Sequence, residues 1–194
     1  MSRPSQITEK RRELLPIVAR AFAELGYRRA TTAALAERCG VQENILYRLW
    51  PDKKAMFIAA ISHVYDLSVE IWKRQLAEKD GDRTGAERLL EYEAGHHGEF
   101  GHYRIIFAGL SETDDADIQA ALADMYQRYQ RFVREQVAAH QSERRNSSPP
   151  DAALAAWALI GMGTVASIGR ELGLLNDRQR RRLVAEIGRV LLEA

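Results

Sequence analysis

His96, His97 and His102 fall within seven residues, in the string HHGEFGH that also holds Glu99. Imidazole nitrogens beside a carboxylate are metal-ligand chemistry, but this spacing matches no standard zinc pattern. Cys39 is the single cysteine, so it can close neither a multi-cysteine metal site nor an intramolecular disulfide. Three readings of the histidines stay open: a metal or haem site, the lining of a ligand pocket, or solvated loop residues. Elsewhere no acid–base pair, activated nucleophile or phosphate-cradling glycine loop stands at a diagnostic spacing. An all-α enzyme or a metal- or haem-binding protein would therefore have to work through the His96/His97/His102 region. No catalytic residue, metal ligand or cofactor is otherwise called for.

The charge pattern points elsewhere. The 194 residues are 46% hydrophobic and 28% charged, which excludes disorder, collagen and a disulfide scaffold for the chain as a whole. The net charge is only +1, yet residues 1–54 carry 11 Lys/Arg against 6 Asp/Glu, and the remainder carries 17 against 21. A basic first quarter on an acidic remainder suggests that one part meets a polyanion and the other does not. The first twelve residues lack the apolar core of a signal peptide. The lone cysteine fits a reducing compartment, so a cytoplasmic location is expected. Residues 152–169 run eighteen positions without a charge, at the short limit for a membrane span. Their Ala and Gly content suits a buried interface helix better, and no membrane partner is expected.

Helical spacing recurs and period-two alternation does not. Leu14, Ile17, Val18, Ala21, Phe22 and Leu25 form one apolar stripe, with Gly26 as its stop. Pro16 sets the expected start of this helix near Arg12, and an earlier start should bring a kink. Thr31 caps a short helix that ends at Cys39-Gly40, and another runs from about Gln42 to Leu49. Asp52 caps a long helix. Further helices are expected over about 87–97, 103–110, from Asp114 or Asp115 to beyond Val137, and over 151–172 and 177–192, with 142–151 the clearest loop. The fold class is all-α with about nine helices.

Two short helices joined through Gly40-Val41 form a helix-turn-helix arrangement, with Ala36 small at the crossing and Leu35, Val41, Ile45 and Leu46 as its core. Periodicity alone fits a helical hairpin without DNA equally well. The string TTAALAERCGVQENILYRLWPDKKAM, residues 31–56, preceded by FAELGY, resembles the TetR family of bacterial transcription regulators. The matches are Gly26-Tyr27, Thr31-Thr32, Leu35-Ala36, Gly40-Val41, Leu46-Tyr47 and Lys53, kept in spacing without gaps over residues 12–60.

That resemblance implies a three-helix DNA-binding domain over 1–50 and an effector-binding and dimerisation domain over 51–194. Thr31, Thr32, Tyr47 and Lys53 would bind DNA phosphates. Gln42, Glu43, Asn44 and Arg48 would read bases: the amides can pair with adenine, Arg with guanine, and Glu can accept from cytosine N4. The sequence departs from the family here, where small and basic residues are common at 42–44. Glu43 would either read a cytosine or orient Arg48, and Ala33 and Leu49 stand where polar DNA contacts are frequent.

An unknown small-molecule effector is implied, with Trp72, Tyr92, His102, Phe107, Met125, Tyr126 and Trp157 as candidate pocket residues, or else as plain core. A homodimer is implied through the last two helices, with Gly161, Gly163, Ala166 and Gly169 easing close approach and Leu183, Ile187, Val190 and Leu191 packing beside them. The expected function is a ligand-responsive repressor that binds a palindromic operator in double-stranded DNA as a homodimer. Arg180, Arg181 and Arg182 read as a solvated face; as three positive charges in a first helical turn they oppose the macrodipole, which leaves room for an acidic partner.

Overall fold

The computed structural model describes residues 6–78, 81–98, 101, 103–145 and 149–193. These form α1 (Gln6–Arg29), α2 (Thr32–Cys39), α3 (Glu43–Leu49), α4 (Lys53–Ala77), α5 (Gly85–His96), α6 (Tyr103–Leu110), α7 (Ala116–Glu143), α8 (Ala152–Glu171), α9 (Asp177–Arg182) and α10 (Gly188–Glu193). A π-helical turn, Leu183–Ile187, joins the last two into one run, so the described residues hold nine helical segments and no strand. The all-α reading is borne out.

Most helix ends carry local signals. Thr31 Oγ1 accepts from the Ala34 amide at 3.1 Å, Asp52 from Ala55 at 2.7 Å, and Asp151 from Ala153 and Leu154. Asp115, of the two candidate caps, is the one used for α7. Thr84 and Glu87 form a reciprocal capping box, so α5 begins two residues earlier than expected.

Pro16 lies in the interior of α1, which already runs from Gln6 and does not start near Arg12. A proline there forfeits one hydrogen bond, to the Arg12 carbonyl, and Arg12 is exposed where water can replace it. The non-helical dihedrals in α1 fall at Gly26, with φ 73° and ψ 166°, a region essentially reserved for glycine.

The chain divides into two compact units, Met1–Leu67 with Phe100–Met125, and Ser68–Glu99 with Tyr126–Ala194. Both α4 and α7 contribute to each. In the first unit, large side chains close the core: Leu14, Val18, Phe22, Leu35, Leu46, Met56, Phe57, Ile61, Ile105, Ile118 and Met125 are fully buried. Here α1 packs against α2, α3 and α6. In the second unit, the fully or nearly buried apolar residues are mostly small, among them Ala86, Ala155, Ala156, Ala166, Val137 and Val184.

The second unit also exposes an apolar band. Leu154, Trp157, Val165 and Ile168 of α8, Leu172 and Leu174 just beyond it, and Ile187 and Val190 of the last run all keep 40–69% of their surface. Counted with exposed Gly161, the α8 members follow steps of three and four, which places them on one face. By length and composition, Lys53–Ala77 and Ala152–Glu171 are long and apolar enough to cross a membrane. In α8, however, the opposite face carries Ala155, Ala156, Ala166, Ser167 and Gly169, all buried within the chain.

Candidate nucleic-acid interface

The turn between α2 and α3 is fixed by Gly40, at φ 63° and ψ 32°. Its amide bonds the Glu37 carbonyl at 3.0 Å and the Val41 amide bonds Ala36 at 3.0 Å, the paired bonds of a Schellman end. Leu35, Ala36, Leu46 and Leu49 are buried, so the two helices meet through one apolar face. The other face of α3 is wet: Gln42, Glu43, Asn44, Tyr47 and Arg48 are all exposed. Among the described residues, the side chains of Gln42, Glu43, Asn44 and Arg48 hold no hydrogen bond or ion pair. Glu43 therefore does not orient Arg48. Leu49 points into the core and is not at a contact position, because it completes the apolar face with Leu46.

Hydroxyl groups gather where α2 begins. Thr32 Oγ1 and Tyr47 Oη lie 3.1 Å apart, and Thr31 caps the same helix end. Tyr47 is 50% exposed, so it is a surface group pinned across the two helices and not a core ring. The three hydroxyls, the uncapped amides of the first turn and the helix dipole make this end suited to a phosphate.

Lys53 behaves differently. Its Nζ donates to the Tyr27 carbonyl at 3.1 Å and sits 4.3 Å from the centre of the Tyr27 ring. That ring in turn packs on Phe57 at 4.8 Å and Phe22 at 6.3 Å. Lys53 thus ties the start of α4 to the chain just after Gly26. Its ammonium has three protons, so a phosphate contact would use one left over. Arg11 Nε donates to the Leu49 carbonyl and closes the C-terminal end of α3. The sequence reading missed this contact, since a helix started at Arg12 leaves Arg11 outside it. Lys54, by contrast, is spoken for by Asp115 at 3.2 Å and Asp117 at 2.5 Å, whose carboxylates push its pKa well up.

The candidate pocket residues divide between the units. Phe107 stands edge-on to Tyr103 at 5.9 Å and Met125 is buried, both in the first unit. In the second, Trp72 stacks on Phe132 at 5.3 Å, Tyr92 on His96 at 4.3 Å, and Tyr126 lies 6.5 Å from Trp157. His102 and Glu99 lie outside the described residues.

A polar chain crosses three helices of the second unit. Trp72 Nε1 donates to Glu93 Oε1 at 2.6 Å, and His97 Nδ1 donates to Glu93 Oε2 at 2.8 Å. His97 Nε2 reaches the Gly163 carbonyl at 2.8 Å and Ser167 Oγ at 3.1 Å. A carboxylate on one nitrogen and a carbonyl on the other require protons on both. Burial opposes charge on the ring, but Glu93 and the Gly163 carbonyl outweigh it and hold the His97 pKa above its ordinary value. With both nitrogens occupied, His97 offers no lone pair to a metal. Among the described residues no three His, Cys, Asp or Glu side chains converge on a metal-sized site.

The same geometry corrects part of the expected dimer surface. A Cβ on Gly163 would lie 3.0 Å from His97 Cε1, and Ala166 and Gly169 are buried in their own chain. These small residues admit the residue after α5 and the chain after α8, and so face the interior of their own chain. Gly161, Ile187 and Val190 are exposed, and Leu183 and Leu191 half-buried.

The fold and the α2–α3 geometry define an all-helical protein with a helix-turn-helix head. Residues 19–60 match the family described as bacterial regulatory proteins, tetR family. The nucleoid occlusion factor SlmA of Haemophilus influenzae is 41% identical over 59 residues, 30% of this chain and 27% of that protein. The matched stretch is thus little more than a quarter of the relative's length. A TetR-family transcriptional regulator from Cytophaga hutchinsonii shares the fold with a TM-score of 0.81 at 16% identity, covering 98% of this chain and 96% of that one. The regulator FadR of Bacillus subtilis, in complex with stearoyl-CoA, does so with a TM-score of 0.70 at 16% identity, covering 94% and 95%. The match to the tetR family thus covers residues 19–60, and the likeness to the solved structures extends the shared fold over the rest of the chain.

Proposed function

We propose that the protein is a ligand-responsive transcriptional regulator, a repressor that binds a palindromic operator as a homodimer in the cytoplasm. The observation that carries this reading is the exposed, unengaged polar face of α3, set beside the hydroxyl-rich start of α2. Residues 1–50 form the DNA-binding domain; Thr31, Thr32 and Tyr47 take phosphates, and Gln42, Glu43, Asn44 and Arg48 take base edges. Residues 51–194 bind the effector and pair with a second copy. The exposed band Leu154, Trp157, Val165, Ile168, Ile187 and Val190 supports that pairing, since soluble monomers rarely expose large apolar patches. Two-fold pairing sets two reading heads about one helical turn of DNA apart, or a multiple of it, and so demands a palindrome. The aromatic groups of the second unit that lie off this band, Trp72, Tyr92 and Tyr126, support an apolar or aromatic effector.

Selection of bound duplexes from a random pool tests the reading directly. A recovered inverted repeat, bound with an affinity that falls steeply with salt, is the expected result. Recovery of no motif, with no duplex binding at low salt, would overturn it.

A further inference from the structure

The triplet Arg180-Arg181-Arg182 is unused by the DNA-binding reading, and the structure sorts its three members. Arg182 pairs with Glu186 at 2.8 Å. Arg180 pairs with Asp177 and donates to the Leu175 carbonyl at 2.8 Å. Arg181 holds no partner among the described residues. It lines a cleft of about 190 Å³ in the second unit, together with His96, His97, Arg170, Asp177 and Arg180. Arg170 spends one N–H on the Gly98 carbonyl at 2.6 Å, which leaves four donors. The His97 imidazolium forms the back wall, its charge balanced by Glu93 behind it. Three guanidinium groups against the single carboxylate of Asp177 leave two positive charges uncompensated in the cleft.

We infer that this cleft binds a small dianion of the phosphate class, inorganic phosphate or a phosphate monoester, clamped by Arg181 and Arg170. Planar guanidinium forks match phosphate oxygens in pairs, and charge-assisted bonds of this kind are the strong ones. The cleft exceeds the volume of one phosphate group, which leaves room for the first atoms of an ester. The cleft lies in the second unit while the DNA-reading face belongs to the first, so the inference does not rest on duplex binding.

The test is calorimetric titration of the full chain with inorganic phosphate in chloride buffer at fixed ionic strength, without DNA. Saturable binding of one phosphate per chain is expected. Arg181→Ala should weaken it roughly tenfold or more. Arg178→Ala, on the same helix but outside the cleft, should leave it unchanged. Arg181 is exposed and unpaired, so its loss leaves the fold intact, which circular dichroism checks. The His97 ring proton signals should shift with phosphate, with the same midpoint as the heat. Absence of saturation below about 50 mM, or equal weakening in both arginine variants, overturns the proposal. Glucose 6-phosphate and sulfate serve as further arms. Tighter binding of the ester than of phosphate assigns the remaining volume to the ligand's body, whereas equal binding of sulfate and phosphate at a pH where phosphate is a monoanion overturns the dianion assignment.

Discussion

Val165→Asp should dissociate the proposed dimer. Val165 keeps 54% of its surface exposed, in the middle of the α8 band between Gly161 and Ile168. Fully burying a valine is worth about 1.5–3 kcal/mol, so closing the remaining half gains ~1 kcal/mol. A two-fold interface counts that gain twice, ~2 kcal/mol per dimer, equivalent to about 30-fold in the dimer Kd. The aspartate adds two like charges brought out of water near the axis, so 30-fold is the lower bound. Sedimentation equilibrium across a concentration series reads the Kd. Gly163→Ala supplies the contrast, because its methyl meets His97 at 3.0 Å inside the same chain. It should lower the Tm while leaving association nearly unchanged. A Val165→Asp protein whose Kd stays within threefold of the parent, or a parent that is monomeric at micromolar concentration, would refute this interface.

Arg48→Ala should relax preference at one position per half-site at a cost of roughly 1–3 kcal/mol, measured by repeating the duplex selection; uniform loss across all sequences would make it a phosphate contact instead. Lys53→Ala should lower the Tm as well as duplex affinity, because Nζ holds the Tyr27 carbonyl and ring. If it also meets phosphate, the log–log salt slope falls by about 0.9, and an unchanged Tm would sink the internal tie. Stability should also vary with pH in two opposite ways. The raised pKa of His97 gives a contribution fully present below about pH 6.5 and lost as pH rises through the folded value, so Glu93→Gln should flatten the alkaline side of a Tm–pH curve. Burial lowers the pKa of His63, although Asp66 opposes this, so its contribution is present above about pH 6.5 and is lost as pH falls. His63→Gln should therefore flatten the acid side, and a curve unchanged by either variant would contradict these assignments.

The features legible in the linear chain are those whose causes act within a few residues. Thr31, Asp52 and Asp151 cap helices through amides two or three positions on, and Gly40 ends α2 because a left-handed turn needs no distant partner. The polar run Gln42, Glu43, Asn44 and Arg48, opposite Leu46 and Leu49, follows from helical period alone. Even the misjudged start of α1 is a local matter, the weight given to Pro16 against a long run of helix-forming neighbours. The role of Lys53 was less visible, for its partner Tyr27 lies 26 residues away, beyond the break at Gly26.

For α8 the sequence states only that a helix forms. Residues 152–169 are apolar all round, so no moment tells which face turns inward. Tertiary packing decided it: Gly163 must clear His97, 66 residues away, and Ala166, Ser167 and Gly169 follow it inward. Trp157, Val165 and Ile168 are left outside for the same reason. The chain from Trp72 through Glu93 and His97 to Gly163 likewise exists only once three helices meet, because its chemistry depends on distances that no spacing along the sequence encodes.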